Sequence, residues 1–191
     1  MGEIGAEPEH SQVKLSDPTP LTADHDLAAF DCGEKLLDDW LKQRALKNES
    51  RFSRTYVVCS GKSVVAFYCI SAGAVDREKA PSKLKRNAPD SIPVSIIGRL
   101  AVSRNYAGRG LGADILSDAL RRIAVASQSI GIGAVLVQAK DEHAKKFYLA
   151  CAEFIEHPVD SRTLYLPIET IVAALRKGKQ HGMPNYSLAG N

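Results

Sequence analysis

With 191 residues, 45% of them apolar, the chain is long enough for one domain with a proper core. No apolar run approaches the ~20 residues of a membrane span, and the start lacks the basic-then-apolar pattern of a signal peptide, so neither is expected. The net charge of +3 hides an asymmetry: residues 1–34 hold eight acids and only Lys14 as a base, leaving 24 bases against 14 acids in the remainder. A body this basic suits a polyanionic partner, although a merely soluble surface would look the same.

The four cysteines, Cys32, Cys59, Cys69 and Cys151, have no C-x-x-C spacing, and three lie in apolar-patterned segments. They read as reduced, core-type thiols of a cytoplasmic protein. The five histidines are scattered, so no metal site is expected.

In chain order, residues 1–12 are polar and read as a flexible N-terminus, and a short strand is expected around Val13–Leu15. From Asp31 a helix is expected, with Leu36, Leu37, Trp40 and Leu41 inward and Lys42, Gln43, Arg44 and Lys47 on the other face. Trp40 reads as a core anchor. Tyr56–Cys59 and Ser63–Ala72 form a hairpin around Gly61-Lys62. The stretch from Asp76 to Pro93, with three prolines and five bases, reads as a connection. Runs of this kind are usually solvated loops; a nucleic-acid contact is the alternative.

An apolar strand over Ile96–Val102 then enters a loop with glycines at positions 108, 110 and 112, and the loop opens into a helix with Leu111, Ile115, Ala119, Leu120 and Ile123 in phase. A strand over Ala134–Ala139, a helix over Glu142–Ala152, strands over Phe154–Glu156 and Thr163–Leu166, and a last helical turn or two over Ile168–Leu175 complete the order. The folded domain is expected over residues 13–176, with 177–191 a loose tail. Strands and helices in this order make an α/β (α+β) fold, a mixed sheet with flanking helices.

Glycines at alternate positions let successive amides curve inward at the positive end of a helix, a geometry that takes an anion such as a pyrophosphate. The loop is Gly-x-Gly-x-Gly, so it lacks the Gly-x-Gly-x-x-Gly of a dinucleotide fold and the Gly-Lys-Ser/Thr of a P-loop. Taken alone it is an ordinary strand–helix turn. The run Ala107-Gly108-Arg109-Gly110-Leu111-Gly112 nevertheless resembles the acetyl-CoA pyrophosphate loop of the GNAT acetyltransferase family, with Ala107 where the family has Gln or Arg. Ala144-Lys145-Lys146-Phe147-Tyr148 resembles the family's second cofactor element, and Asp141 stands at its Asn position.

The resemblance implies the GNAT fold, whose central sheet splays at the acetyl-CoA cleft. It implies that backbone groups of Leu100, Ala101 and Val102 line the acetyl-pantetheine arm, and that Tyr148 is the general acid. A phenol near pKa ~10 stays protonated at neutral pH and can give its proton to a departing thiolate. A half-buried core tyrosine is the alternative. No side chain is placed as a general base, which an α-amine near pKa ~8 does not require.

Within the family, Phe30-Asp31-Cys32-Gly33, Leu37-Asp38-Asp39-Trp40-Leu41, Ser53-Arg54-Thr55-Tyr56-Val57, Gly98-Arg99-Leu100-Ala101-Val102 and Ala144–Phe154 resemble the TacT-like toxins of toxin–antitoxin modules. That resemblance implies acetylation of the amino group of aminoacyl-tRNA, a ribbon-helix-helix antitoxin and a homodimer. Lys42, Arg44, Lys83, Lys85 and Arg86 are then candidate tRNA contacts. The family commonly has Gly-Phe five residues past the tyrosine; here Glu153 replaces Gly and Phe154 stands six residues on. A protein or small-molecule amine acetyltransferase is the alternative enzyme. A non-catalytic acetyl-CoA-binding module is the alternative of another class.

Overall fold

The structure is a computed structural model that describes residues 14–180. Seven strands form one sheet in the order β1-β2-β3-β4-β5-β7-β6. The strands are β1 (Thr19–Pro20), β2 (Arg54–Ser60), β3 (Ser63–Asp76), β4 (Ser91–Val102), β5 (Ala134–Gln138), β6 (Ile155–Glu156) and β7 (Thr163–Pro167). Only β4 and β5 run parallel; every other pair is antiparallel. The helices are α1 (Lys35–Trp40), continued by a π-helical turn over Leu41–Ala45, then α2 (Leu46–Asn48), α3 (Ser82–Lys85), α4 (Leu111–Ala126), α5 (Glu142–Cys151) and α6 (Ile168–Gln180).

Strand alternation assigns the helices to faces. On one face Ile97 of β4, Tyr68 of β3 and Val135 and Val137 of β5 meet α4, Tyr148 of α5 and Ile171 of α6. On the other, Phe67 and Cys69 of β3 and Ala101 of β4 meet Trp40, Leu41 and Ala45, while Ile92 and Val94 of β4 meet Ala80 and Leu84 around α3. These two clusters share a face because β4 takes up one extra residue: Cys69 pairs with Arg99 and Ile70 with Ile97, so Gly98 is left as a bulge.

Several boundaries differ from those expected from the sequence. Leu15 forms an isolated bridge with Ser60, and Val13 lies outside the described residues. Gly33, at φ 89°, holds the chain before α1 out of the helix, which starts at Lys35 and not Asp31. The phase shift turns Leu36 outward, 85% exposed, and the π-helical turn brings Trp40, Leu41 and Ala45 inward together. Most of the expected connection over Asp76–Pro93 is the closed end of a long β3–β4 hairpin, with Pro93 paired to Ala74 and α3 in the loop. Helix α6 runs on to Gln180, and the rest of the expected tail lies outside the described residues. Cys151 is exposed, so it is not a core thiol; Cys59 and Cys69 are buried.

Helix α4 is locked in rotation by a polar cluster on the sheet. Tyr68 donates its hydroxyl hydrogen to Asp118, and Arg122 bonds the same carboxylate at 2.7 Å and the carbonyl of Pro18 at 2.9 Å. The Arg122 guanidinium also lies 4.1 Å from the centre of the Tyr56 ring, which stacks on Tyr68 at 5.2 Å. Buried donors and acceptors satisfied in this way permit one seating of the helix. That seating fixes where its N-terminus points.

Candidate active site

The parallel pairing of β4 with β5 covers only Val94–Ile96 against Ala134–Leu136. Past the Gly98 bulge, β4 stays paired to β3 through Val102, but its other edge has no strand partner. The sheet therefore opens into a gap, and the backbone N–H and C=O groups of Leu100, Ala101 and Val102 on that side are available to a ligand. The splay expected at the cleft is present. It arises where the bulge turns β4 away from β5.

Beyond Val102 the chain makes a 3₁₀ turn over Arg104–Tyr106 and enters the glycine loop. Gly108 and Gly110 have φ of 74° and 86°, a region that disfavours any residue with a Cβ, and added Cβ atoms would meet nothing within 4 Å. Gly110 is the N-cap of α4, whose first amides face the same open space. Gly112 differs: its φ is not positive, and a Cβ there would make an ordinary 3.4 Å contact with the Phe147 ring of α5. Ala107 and Arg109 are exposed, with the Arg109 guanidinium 5.9 Å from the Tyr106 ring centre. The Leu111 side chain is buried in the core, which leaves its backbone to the loop.

The Asp141 carboxylate accepts a hydrogen bond from the Ala144 amide at 2.8 Å, capping α5, and lies 3.4 Å from Lys140 Nζ. Those contacts, the amide bond first, hold its carboxyl below the usual range. Its charge is thus engaged within the chain, and it positions the helix that carries Tyr148.

Tyr148 is 8% exposed, and its hydroxyl has no hydrogen-bond partner among the described residues. Its ring meets Phe147 and Phe154 edge-to-face at 5.2 and 5.7 Å. The extra residue before Phe154 is absorbed by a tight turn, in which the Phe154 amide bonds the Ala152 carbonyl at 2.8 Å. Burial pushes the phenol up to about 12, with the Cys151 and Cys69 thiols adding to the effect. At neutral pH the group is a proton donor and cannot act as a base.

The basic candidates all lie on the face opposite the glycine loop. Lys42 and Arg44 are exposed on the π-helical turn, and Lys83 and Arg86 are exposed in and after α3; none of the four is in an ion pair among the described residues. Lys85 is half-buried and donates to the Glu78 carbonyl at 2.6 Å. Arg77 and Lys79 are paired with Asp90 and Asp76, so the run is less free than its composition suggests.

Three features did not emerge from the sequence. The Arg99 guanidinium lies 4.2 Å from the Trp40 ring centre. The segment before α1 is tied to both arms of the gap, by Asp31 to Arg104 at 3.4 Å and by Glu34 to Lys140. Gly33 permits the first tie, because a Cβ there would come within 2.9 Å of Arg104. An arginine inside an apolar strand was a signal for Arg99; the two ties had none.

Residues 20–154 match the model of the Acetyltransferase (GNAT) family. The chain belongs to the GNAT acetyltransferase family. Within it, the chain is 42% identical over 135 residues, 70% of its length and 81% of the relative's, to the tRNA-acetylating toxin of Mycobacterium tuberculosis. It is 33% identical over 158 residues, 77% of this chain and 87% of the relative, to the probable toxin TacT of Sinorhizobium fredii. Among solved structures, AtaT complexed with acetyl-methionyl-tRNAfMet superposes with a TM-score of 0.78 at 29% identity, covering 85% of this chain and 99% of that one. AtaTR bound with AcCoA gives 0.74 at 30% identity over 84% and 98% of the two chains. The AtaT-AtaR complex bound to DNA gives 0.69 at 27% identity over 84% and 99%.

This GNAT chain is thus an N-acetyltransferase of the TacT-like toxin group, and its AtaTR neighbour is bound with the acetyl donor AcCoA. This chain's residues fit that donor: two positive-φ glycines over open space at a helix N-terminus, and an unpaired strand edge leading to a buried phenol. No helix among the described residues is long and apolar enough to cross a membrane.

Proposed function

We propose that the protein acetylates the α-amino group of aminoacyl-tRNA in the cytoplasm and so blocks translation as the toxin of a toxin–antitoxin pair. The observation that carries this reading is the division of labour across the sheet. The glycine loop and Tyr148 serve one face, unpaired cations stand on the other, and the gap between β4 and β5 joins them. A relative named for acetylating tRNA supports the same substrate.

In this reading acetyl-CoA supplies a thioester that the free amine attacks. The amides of Gly108, Gly110 and Leu111–Gly112 hold the pyrophosphate, with Ala107 and Arg109 completing the loop. The open β4 edge over Leu100–Val102 orients the acetyl-pantetheine arm. Tyr148 Oη carries the proton that the departing thiolate takes, and its high pKa keeps that proton in place until charge develops on sulfur. Asp141 assists by capping α5. Lys42, Arg44, Lys83 and Arg86 meet tRNA phosphates, with Lys85 shaping their loop. The AtaT–AtaR pair supports an antitoxin as partner; its ribbon-helix-helix form and a homodimer belong to the same proposal.

The test is direct. The purified protein is mixed with acetyl-CoA and total charged tRNA, and aminoacyl-adenosines released by nuclease are examined by mass spectrometry. A gain of one acetyl group on at least one aminoacyl-adenosine is expected. Transfer only to protein N-termini or free amines would favour the other enzyme class.

A further inference from the structure

Arg99 is the first residue past the Gly98 bulge, on the lip of the gap, and its side chain crosses to the face away from the glycine loop. Its guanidinium stacks on Trp40, whose other neighbour is Phe67, stacked at 5.9 Å and 15°. The cation–π contact with Trp40 holds the guanidinium in place, and the Cys69 thiol beside it is a weak acceptor for one of its donors. A stacked guanidinium still presents its five N–H donors around its edge, in the fork that matches a phosphate.

The surroundings supply no anion to take those donors. Arg99 is half-buried and forms no ion pair with any described carboxylate. Cys69, its partner across the strands, is held as a neutral thiol by burial, which outweighs the opposing pull of the Arg99 charge. A fixed, partly desolvated cation beside the reacting gap, with a neutral thiol and no carboxylate on its edge, is a receptor for an anion.

Resting on the reading above, we propose that Arg99 receives the 5′-phosphate of the terminal nucleotide that carries the aminoacyl group. That phosphate is the nearest charge to the amine in aminoacyl-tRNA, only a ribose and an ester away. A free amino acid or a protein N-terminus offers no such group. Arg99 is thus a specificity residue, making the enzyme read an amine borne by a nucleotide, while the outer lysines and arginines hold the body of the tRNA.

Two stable acceptors test this: 3′-aminoacylamino-3′-deoxyadenosine with and without a 5′-phosphate. In the wild-type enzyme the phosphate should lower KM about 10- to 100-fold with kcat unchanged. Arg99→Ala should abolish the difference between the two compounds, and Arg99→Lys should restore part of it. Calorimetry without acetyl-CoA should show the phosphorylated compound binding the wild-type protein more tightly by the same factor. Equal KM values for both acceptors in the wild type would overturn the proposal without any variant. An Arg99→Ala protein that weakens both acceptors equally would also overturn it, since Arg99 would then serve only to pack Trp40. If the wild type acetylates neither acceptor nor any charged tRNA, the function proposed above fails, and this inference with it.

Discussion

The two faces of the sheet are built by different means. On the α4 face the proposed site is made of backbone: glycines at positive φ, a helix N-terminus and an unpaired strand edge, with one side chain, Tyr148, proposed for proton transfer. On the α1–α3 face the proposed tRNA surface is made of long side chains, Lys42, Arg44, Lys83, Arg86 and Arg99, which form no ion pair among the described residues. Backbone recognition is rigid and suits one small molecule with fixed phosphates. Side-chain recognition is spread out, screened by salt, and suits a large polyanion. A defect on the first face should therefore be steep and local, and one on the second graded and salt-dependent.

The largest expected effect separates chemistry from either kind of binding. Tyr148→Phe keeps the buried ring and removes the proton donor, so turnover should fall ~10²–10⁴-fold with acetyl-CoA affinity retained. The pH profile sharpens this. Deprotonation of the amine near ~8 should raise the wild-type rate. In its proposed role Tyr148 works protonated, and its pKa is raised to about 12, so activity should be lost only as pH approaches that value. With a stable amide acceptor, the rate should hold level through pH 10.5. A decline centred on 10 would mean an unperturbed tyrosine, and wild-type turnover by the phenylalanine variant would make Tyr148 structural.

Next comes the backbone face. Gly110→Asp sets a carboxylate and a Cβ at φ 86°, in the space where the pyrophosphate is expected. Coenzyme A affinity should drop at least about tenfold in calorimetry, more than local strain alone explains. Unchanged affinity in a folded variant would place the phosphates elsewhere.

The smallest effect belongs to the side-chain face. Lys83→Glu with Arg86→Glu alters two exposed cations and spares Lys85, which braces the loop through Glu78. In gel shifts at several salt concentrations, binding to every tRNA should weaken alike and the salt slope should flatten by about 2, one per phosphate contact. Acetyl-CoA affinity should not move. An unchanged slope would make this loop simply solvated.

How much could be read beforehand follows the same division. The glycine loop and the helix after it depend on neighbours within a few residues, so residue types at fixed spacing announce them. The hairpin at Gly61-Lys62 is equally local: Gly61 adopts φ 62° to turn the chain. Tyr148 was placed by resemblance and not by any physical pattern. Its lack of a hydrogen-bond partner could not be seen without its surroundings.

What the sequence alone determined, then, is the order of the main strands and helices, without α3 or the true β1, the glycine-rich strand–helix turn and the excess of basic charge after residue 34. The tertiary structure decided where the sheet opens, because the Gly98 bulge is defined only by pairing with Cys69 and Ile70, some thirty residues earlier. It decided that Leu36 points outward, since the start of α1 and the π-helical turn answer to packing on β3. It also decided which cations are free: Arg77 looks like Lys83 and Arg86 in composition, and only the folded hairpin sets Asp90 beside it. Local backbone preference acts over one turn of chain. Register, face and charge pairing are settled by contacts between segments far apart in sequence.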